Sequence, residues 1–219
     1  MVGQVRAVNA RSWREAARKA GRGREIYSAL QKELQGPIGT RVQELIRENA
    51  QLISSIPTSL RESVVREIAG LEQQGLRADV VAEYIRRRVP QLAGSRAALI
   101  ARTETSKAVA ALTQARSEDL GIGWYQWRTA KDQRVRPSHK IMEKVLVRWN
   151  DPPSPEELDG IASNLGKYHA GGCPNCRCVS LPLVTIKVIE FPARVYHDDR
   201  IERMSRARFI KFSGMERAA

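Results

Sequence analysis

The chain gathers its metal-capable side chains into one stretch. All three cysteines and two of the three histidines fall between His139 and Cys178. The stretch opens Trp127-Arg128-Thr129-Ala130-Lys131-Asp132-Gln133-Arg134-Val135-Arg136-Pro137-Ser138-His139 and closes Cys173-Pro174-Asn175-Cys176-Arg177-Cys178. Tetrahedral zinc takes four ligands, and thiolate and imidazole are preferred. On an extended segment Cys176 and Cys178 point to one side, because strand side chains alternate. Cys173 reaches the same point if Pro174-Asn175 turns the chain. The fourth ligand then comes from His139 or His169. The competing readings are three ordinary reduced thiols, two of them packed in a strand, or an iron–sulfur site.

Composition narrows the setting. At 219 residues the chain makes one domain or two small ones closely joined, and it buries a core without disulfides. Three cysteines this close do not form a secreted disulfide framework, and Cys176 and Cys178 are too near in sequence for an easy bridge. A reducing compartment fits these thiols. No secretory signal is visible at the N-terminus, and no stretch approaches the ~18 consecutive apolar residues of a membrane span. Lys and Arg number 37 against 24 acids, a formal charge of +13. That excess favours a polyanionic partner, either nucleic acid or an acidic protein surface, over a charge that only keeps the protein dispersed.

The N-terminal part reads as helices with terse connectors. Arg6 to Leu34 is helical with a break at Gly21-Arg22-Gly23, and its basic residues Arg11, Arg14, Arg18 and Lys19 form either a polyanion-contacting arm or a solvated face. Leu45, Ile46, Leu52, Ile53 and Ile56 carry a second helix. A third starts at Thr58 or Ser59, with Glu62 as its capping-box residue. A short helix over Ala78–Arg88 follows. Its last turn holds Arg86, Arg87 and Arg88, which complement the helix dipole and are also candidates for partner contact. Ser95 caps the longest helix, running to about Leu120. Its stripe of small residues, Ala98, Ala101, Thr105, Ala108, Leu112 and Ala115, predicts burial between other elements.

After Gly121-Ile122-Gly123 the pattern changes. Strands are expected at Trp124–Thr129, Lys144–Trp149 and Arg177–Val184, the last at an edge because of Pro182. One helical turn is expected at Pro155–Leu158 and a Gly-containing loop over Leu165–Gly172. Residues 186–189 continue the third strand or begin a tail. Asp198 to Phe212 is expected as a basic amphipathic stretch, with Ile201, Met204, Arg208 and Phe209 able to make a helix face; Arg203, Arg206 and Lys211 are further candidates for contact with nucleic acid or an acidic partner.

A catalytic reading is available but unforced. His139, Asp132 and Cys173 or Cys176 could assemble a Cys-His-Asp scheme, although a metal-bound thiol is not a free nucleophile. No phosphate-binding Gly-rich loop and no HExxH occurs. Arg102, Glu104, Asp132, Arg134 and Arg136 form a polar set read as structural, with Arg134 and Arg136 free to hold a phosphate or to pair with Asp132 or Glu104.

Three ordered blocks carry a resemblance: Ala101-Arg102-Thr103-Glu104; Trp127-Arg128-Thr129-Ala130-x-Asp132-x-Arg134-Val135-Arg136-Pro137-Ser138-His139; and Asn175-Cys176-Arg177-Cys178 followed by Pro182. Together they resemble the phage Mu F-like minor head proteins, a family of head morphogenesis proteins, over roughly Ser95 to Val184. The family pattern has His-Pro-Asn-Cys-Arg-Cys in the last block, and Cys173 stands here at the histidine's place. Both residue types ligate zinc. The resemblance therefore implies a structural zinc on His139, Cys173, Cys176 and Cys178, with His169 spare.

It also implies a virion component that is not an enzyme. Such a protein would occur in several copies per particle in the capsid interior near the portal, and in the host cytoplasm during assembly. Its partners would be the portal protein or major capsid protein and, non-specifically, double-stranded DNA. The alternatives are a zinc-stabilised nucleic-acid-binding module with no capsid role, and an enzyme using His139 or a cysteine. The expected fold is α+β: a mainly helical N-terminal region (1–93) packed on a small domain (94–185) with short antiparallel strands and a zinc-stapled loop, then a basic tail (186–219).

Overall fold

The computed structural model of the protein describes residues 78–90 and 94–215, together with the helical residue Thr40. The helices expected between Arg6 and Gly75, and with them Arg11, Arg14, Arg18 and Lys19, lie outside the described residues.

Helix α1 spans Ala78–Arg88. Val81, Ile85 and Val89 recur every fourth residue, and all three are buried; this stripe packs α1 against α2, Gly94–Asp119. Helix α2 is buried over far more than its small-residue stripe. Ala97, Ala101, Ala108, Ala111 and Ala115 are joined in the interior by Glu104, Lys107 and Arg116. Glu104 and Lys107 form an ion pair one turn apart at 3.5 Å. Burial raises the Glu104 pKa, and the Lys107 charge opposes that rise. The helix stops at Gly121, whose φ of 65° suits a residue without a Cβ. There Gly121 N–H donates to Glu118 O and Ile122 N–H to Ser117 O, satisfying carbonyls of the last turn.

Among the described residues the sheet has five strands: β1 Trp124–Arg128, β2 Leu146–Arg148, β3 Val179–Pro182, β4 Ala193–His197 and β5 Arg200–Met204, in the order β3-β1-β2-β4-β5. The fold is α+β. Pro182 sits on the edge strand β3, where its missing N–H costs no ladder bond. Strand β1 pairs antiparallel with both β2 and β3. The strands of the expected small domain, β1, β2 and β3, are thus antiparallel; β2 also pairs in parallel with β4, which lies beyond residue 185, with Leu146 opposite Val195.

Alternation divides the interior between the two faces of the sheet. Trp124, Leu146, Val195 and Met204 face one way, onto Phe209. Tyr125, Trp127, Val145, Val147 and Tyr196 face the other, where all three cysteines lie. Two one-turn helices, α3 (Pro137–Lys140) and α4 (Pro155–Leu158), sit in the connections. A 3-10 turn at Ile186–Val188 leads toward β4.

The basic stretch Asp198–Phe212 is only half a helix. Asp198 and Asp199 both have positive φ, 47° and 55°, and close a two-residue hairpin between β4 and β5. Helix α5 begins only at Arg206, after Ser205 accepts a hydrogen bond from Arg208 N–H, and ends at Ser213. Ile201 and Met204 are three apart, a spacing that suits a helix face, but the turn places them in a strand. The sheet therefore continues past residue 185 into the segment expected as a tail.

Candidate metal centre

The Cys173–Cys176 segment turns as the spacing requires. Cys176 N–H donates to Cys173 O at 3.2 Å, with Pro174 second in the turn and Asn175 third at a φ of 57°. Cys178 follows where the chain extends into β3. Two side chains of α2 hold this knuckle: Thr103 Oγ1 accepts from Asn175 N–H at 3.0 Å, and Ser106 Oγ donates to Cys176 O at 3.2 Å. Gly171, at a φ of 87°, lets the preceding loop approach. A Cβ there would stand 3.3 Å from Cys178 O and 3.4 Å from Ala110 Cβ.

His139 comes to the same place on α3, with Pro137 in the first turn. Its ring lies edge-on to Trp127, 5.7 Å between centroids at 79°. His139 Nδ1 is 3.6 Å from Cys176 Sγ and 3.4 Å from Cys178 Sγ, while Nε2 is 3.7 Å from Cys173 Sγ. Ligands on one tetrahedral zinc, at bonds of ~2.0–2.3 Å, stand about 3.5–3.8 Å apart; the Nδ1–Cys176 distance meets this, and since one ring gives a single ion one nitrogen, the Nε2–Cys173 distance only places Cys173 beside the ring. One ligand atom each from His139, Cys173 and Cys176 lies within 4.8 Å of the others, and all three residues are buried. Donor chemistry and spacing thus suit a thiophilic ion held by these three residues. Cys178 Sγ also approaches His139 Nδ1, although that set of three does not include it.

The electrostatics centre on Cys176. Its thiol is held far below the ordinary range by hydrogen bonds from Cys173 and Cys178, which outweigh burial, and His139 adds to the effect. Cys173 and Cys178 are pushed up, each by its hydrogen bond to Cys176 and by burial. A cation bound here would favour the thiolate form of each cysteine that coordinates it. Arg136 Nη1 donates to Cys173 Sγ at 2.9 Å and Nη2 to Pro174 O at 2.9 Å. Burial works against the charge on Arg136, but Cys173, with Tyr168 and Cys176 adding to it, outweighs that and the guanidinium becomes more basic. The Trp127 indole N–H is buried without a regular hydrogen bond, and it opposes the rise at Cys178. A cleft lined by Arg134, Arg136, Asn175 and Arg177 reaches His139, Cys176 and Cys178.

Two residues absent from the sequence reading complete the surroundings. Tyr168 O–H donates to Glu156 Oε2 at 2.6 Å, and His139 Nε2 lies 3.0 Å from the Tyr168 oxygen. Ser138 Oγ donates to Glu156 Oε1 at 3.1 Å. Tyr168 is pushed far above its usual pKa by burial and by Glu156, so it stays protonated. The signal was faint: Glu156 sits in a four-residue helix and Tyr168 in an irregular loop, and only the fold joins them.

The remaining sequence-derived residues lie elsewhere. His169 sits away from the thiols, with Nδ1 3.1 Å from Tyr125 Oη and its ring against Trp149. Burial depresses its pKa to about 4. The polar set occupies separate positions: Glu104 pairs with Lys107, Arg136 serves Cys173, and Arg102 is exposed on α2. Asp132 binds Arg177, with Arg134 more loosely at 3.6 Å. Within α1, Arg86 and Arg87 pair with Glu83 at 3.0 and 3.2 Å, and Arg88 donates to Tyr84 Oη. Arg203, Arg206 and Lys211 are exposed along β5 and α5.

Comparison with known proteins fixes the family. The model of the Phage Mu protein F like family matches residues 60–181. The chain belongs to the Phage Mu protein F like family. The match begins at residue 60, not near Ser95, and so takes in α1 as well as α2, β1, β2 and the cysteine knuckle. A relative is an uncharacterized protein of Haemophilus influenzae (strain ATCC 51907 / DSM 11121 / KW20 / Rd), 33% identical over 148 residues, which are 67% of this chain and 30% of the relative. The chain thus spans under a third of that protein's length. No solved structure matches the chain.

Proposed function

We propose that the chain is a minor head protein acting in phage head morphogenesis, bound at the portal or the inner capsid wall in several copies per particle, with zinc as a structural staple. The observation that carries this reading is the family match over residues 60–181, which embraces the metal-capable stretch and the helices that hold it. Burial of all three cysteines and His139 favours a structural role over nucleophilic catalysis, since a substrate would have to reach groups no more than 5% exposed. Zinc, when bound, supplies cross-links between α3, the knuckle and β3, in a region with little regular structure of its own.

The charge of +13 suits a capsid interior filled with double-stranded DNA. Arg203, Arg206 and Lys211 are exposed on the segment after β4, and Arg86–Arg88, although tied within α1, add to the positive field. Cosedimentation of the full chain with purified portal and with capsid shells tests the reading. Association with either supports it; tight DNA binding with neither would favour the zinc-stabilised nucleic-acid-binding module.

A further inference from the structure

The geometry points to His139 as a ligand through Nδ1 alone, with Tyr168 and Glu156 as the positioning pair that enforces this choice. The inference rests on the metal reading above and adds which atom binds and what holds it there.

The argument follows the protons. Ser138 Oγ donates to Glu156 Oε1 at 3.1 Å, and Tyr168 O–H donates to Oε2 at 2.6 Å. Once the Tyr168 proton is committed to the carboxylate, its oxygen can only accept from a third partner. That partner is His139 Nε2, 3.0 Å away. Nε2 therefore carries the ring proton, and Nδ1 presents its lone pair. Nδ1 faces Cys176 Sγ at 3.6 Å and Cys178 Sγ at 3.4 Å. The hydrogen bond made by one ring nitrogen sets which nitrogen can be metallated.

Ser138, His139, Glu156 and Tyr168 are all 9% exposed or less, so their hydrogen bonds are made mainly to one another and not to bulk water. A tyrosine between carboxylate and imidazole also keeps the Glu156 charge off the ring while still orienting it; the direct His139–Glu156 separation is 3.8 Å. Without the hydroxyl, both imidazole tautomers become available, and the one protonated at Nδ1 cannot bind a metal there.

The test uses the full chain with 15N-labelled histidine, loaded with 113Cd2+ as the probe, and zinc affinity measured by chelator competition. Coupling of cadmium to His139 Nδ1, with Nε2 protonated, is expected. Tyr168→Phe is expected to lose about 10–100-fold in zinc affinity and the protected Nε2–H resonance. Glu156→Gln keeps an acceptor for Tyr168 and should keep Nδ1 coordination with a smaller loss; it serves as the second variant if Tyr168→Phe does not fold. Cadmium on Nε2, or unchanged zinc affinity in folded Tyr168→Phe, would overturn the inference and leave the metal centre standing. Absence of any bound metal would overturn both.

Discussion

Asn175 donates its backbone N–H to Thr103 Oγ1 across 72 positions of sequence, at 3.0 Å. This bond joins two of the sequence blocks that carry the resemblance. Asn175 lies in the left-handed region, inside the turn that brings Cys173 and Cys176 together. The side chain of α2 therefore fixes the backbone of the metal knuckle at its most constrained residue. Ser106, three residues on along α2, does the same for the Cys176 carbonyl.

Thr103→Val removes the acceptor while preserving shape, and leaves the Asn175 N–H without a partner. The expected cost is ~1–3 kcal/mol, and Thr103→Ser should recover most of it. Equilibrium denaturation of the three proteins checks this; a Val variant as stable as the native chain would show that the knuckle does not depend on α2.

Phe209 decides whether the C-terminal segment is part of the framework. It is fully buried on α5 and meets Trp124 of β1 edge-on, 5.2 Å between centroids. Phe209→Ala should destabilise the whole sheet by ~3–5 kcal/mol. If α5 were a loosely attached tail, the same substitution would change stability by no more than a few tenths and leave Trp124 emission unaltered.

Local pattern carried much of the fold. The stop at Gly121, the proline-led turn at Pro155–Leu158 and the edge position of Pro182 depend on properties of one or two residues, and the sequence displays them. Helix α2 was legible because its period persists from Ser95 onward. The β4–β5 hairpin was not, because Asp198-Asp199 adopts a turn usually signalled by Asn-Gly, and Ile201 and Met204 happen to suit a helix. The cysteine knuckle was legible from spacing. The Glu156–Tyr168–His139 chain was not, since no local period links a one-turn helix, a loop and another one-turn helix.

His169 predicts a pH dependence unrelated to the metal. Its ring lies between Tyr125 and Trp149, and burial lowers its pKa from an ordinary 6.5 to about 4. Between those values the unfolded chain binds the proton and the folded chain does not. The contribution is therefore complete above pH 6.5 and is lost as pH falls toward 4. It amounts to at most about 3 kcal/mol, and less because the residue as a whole is half-buried. A His169→Gln variant should show a flatter fall in stability over that window while retaining bound metal; an unchanged slope would assign the acid sensitivity to other groups.

Cys173 offers the most direct test of the ligand set. Its sulfur lies 3.7 Å from His139 Nε2 and 2.9 Å from Arg136 Nη1, and the resemblance places a histidine at this position in the family pattern. If the position is a ligand, chemistry and not shape governs what it tolerates. Cys173→Ala should then lose more than ~100-fold in zinc affinity, beyond the 10–100-fold typical of losing an outer partner. Cys173→His should restore one bound metal per chain, since imidazole replaces thiolate in such sites. Arg136 would lose its sulfur partner in both variants, so the difference between them isolates ligation from the Arg136 contact. Metal content after purification without chelator, followed by chelator competition, reads both outcomes. Equal zinc affinity in Cys173→Ala and the native chain would remove Cys173 from the set and leave His139, Cys176 and Cys178 to hold the ion.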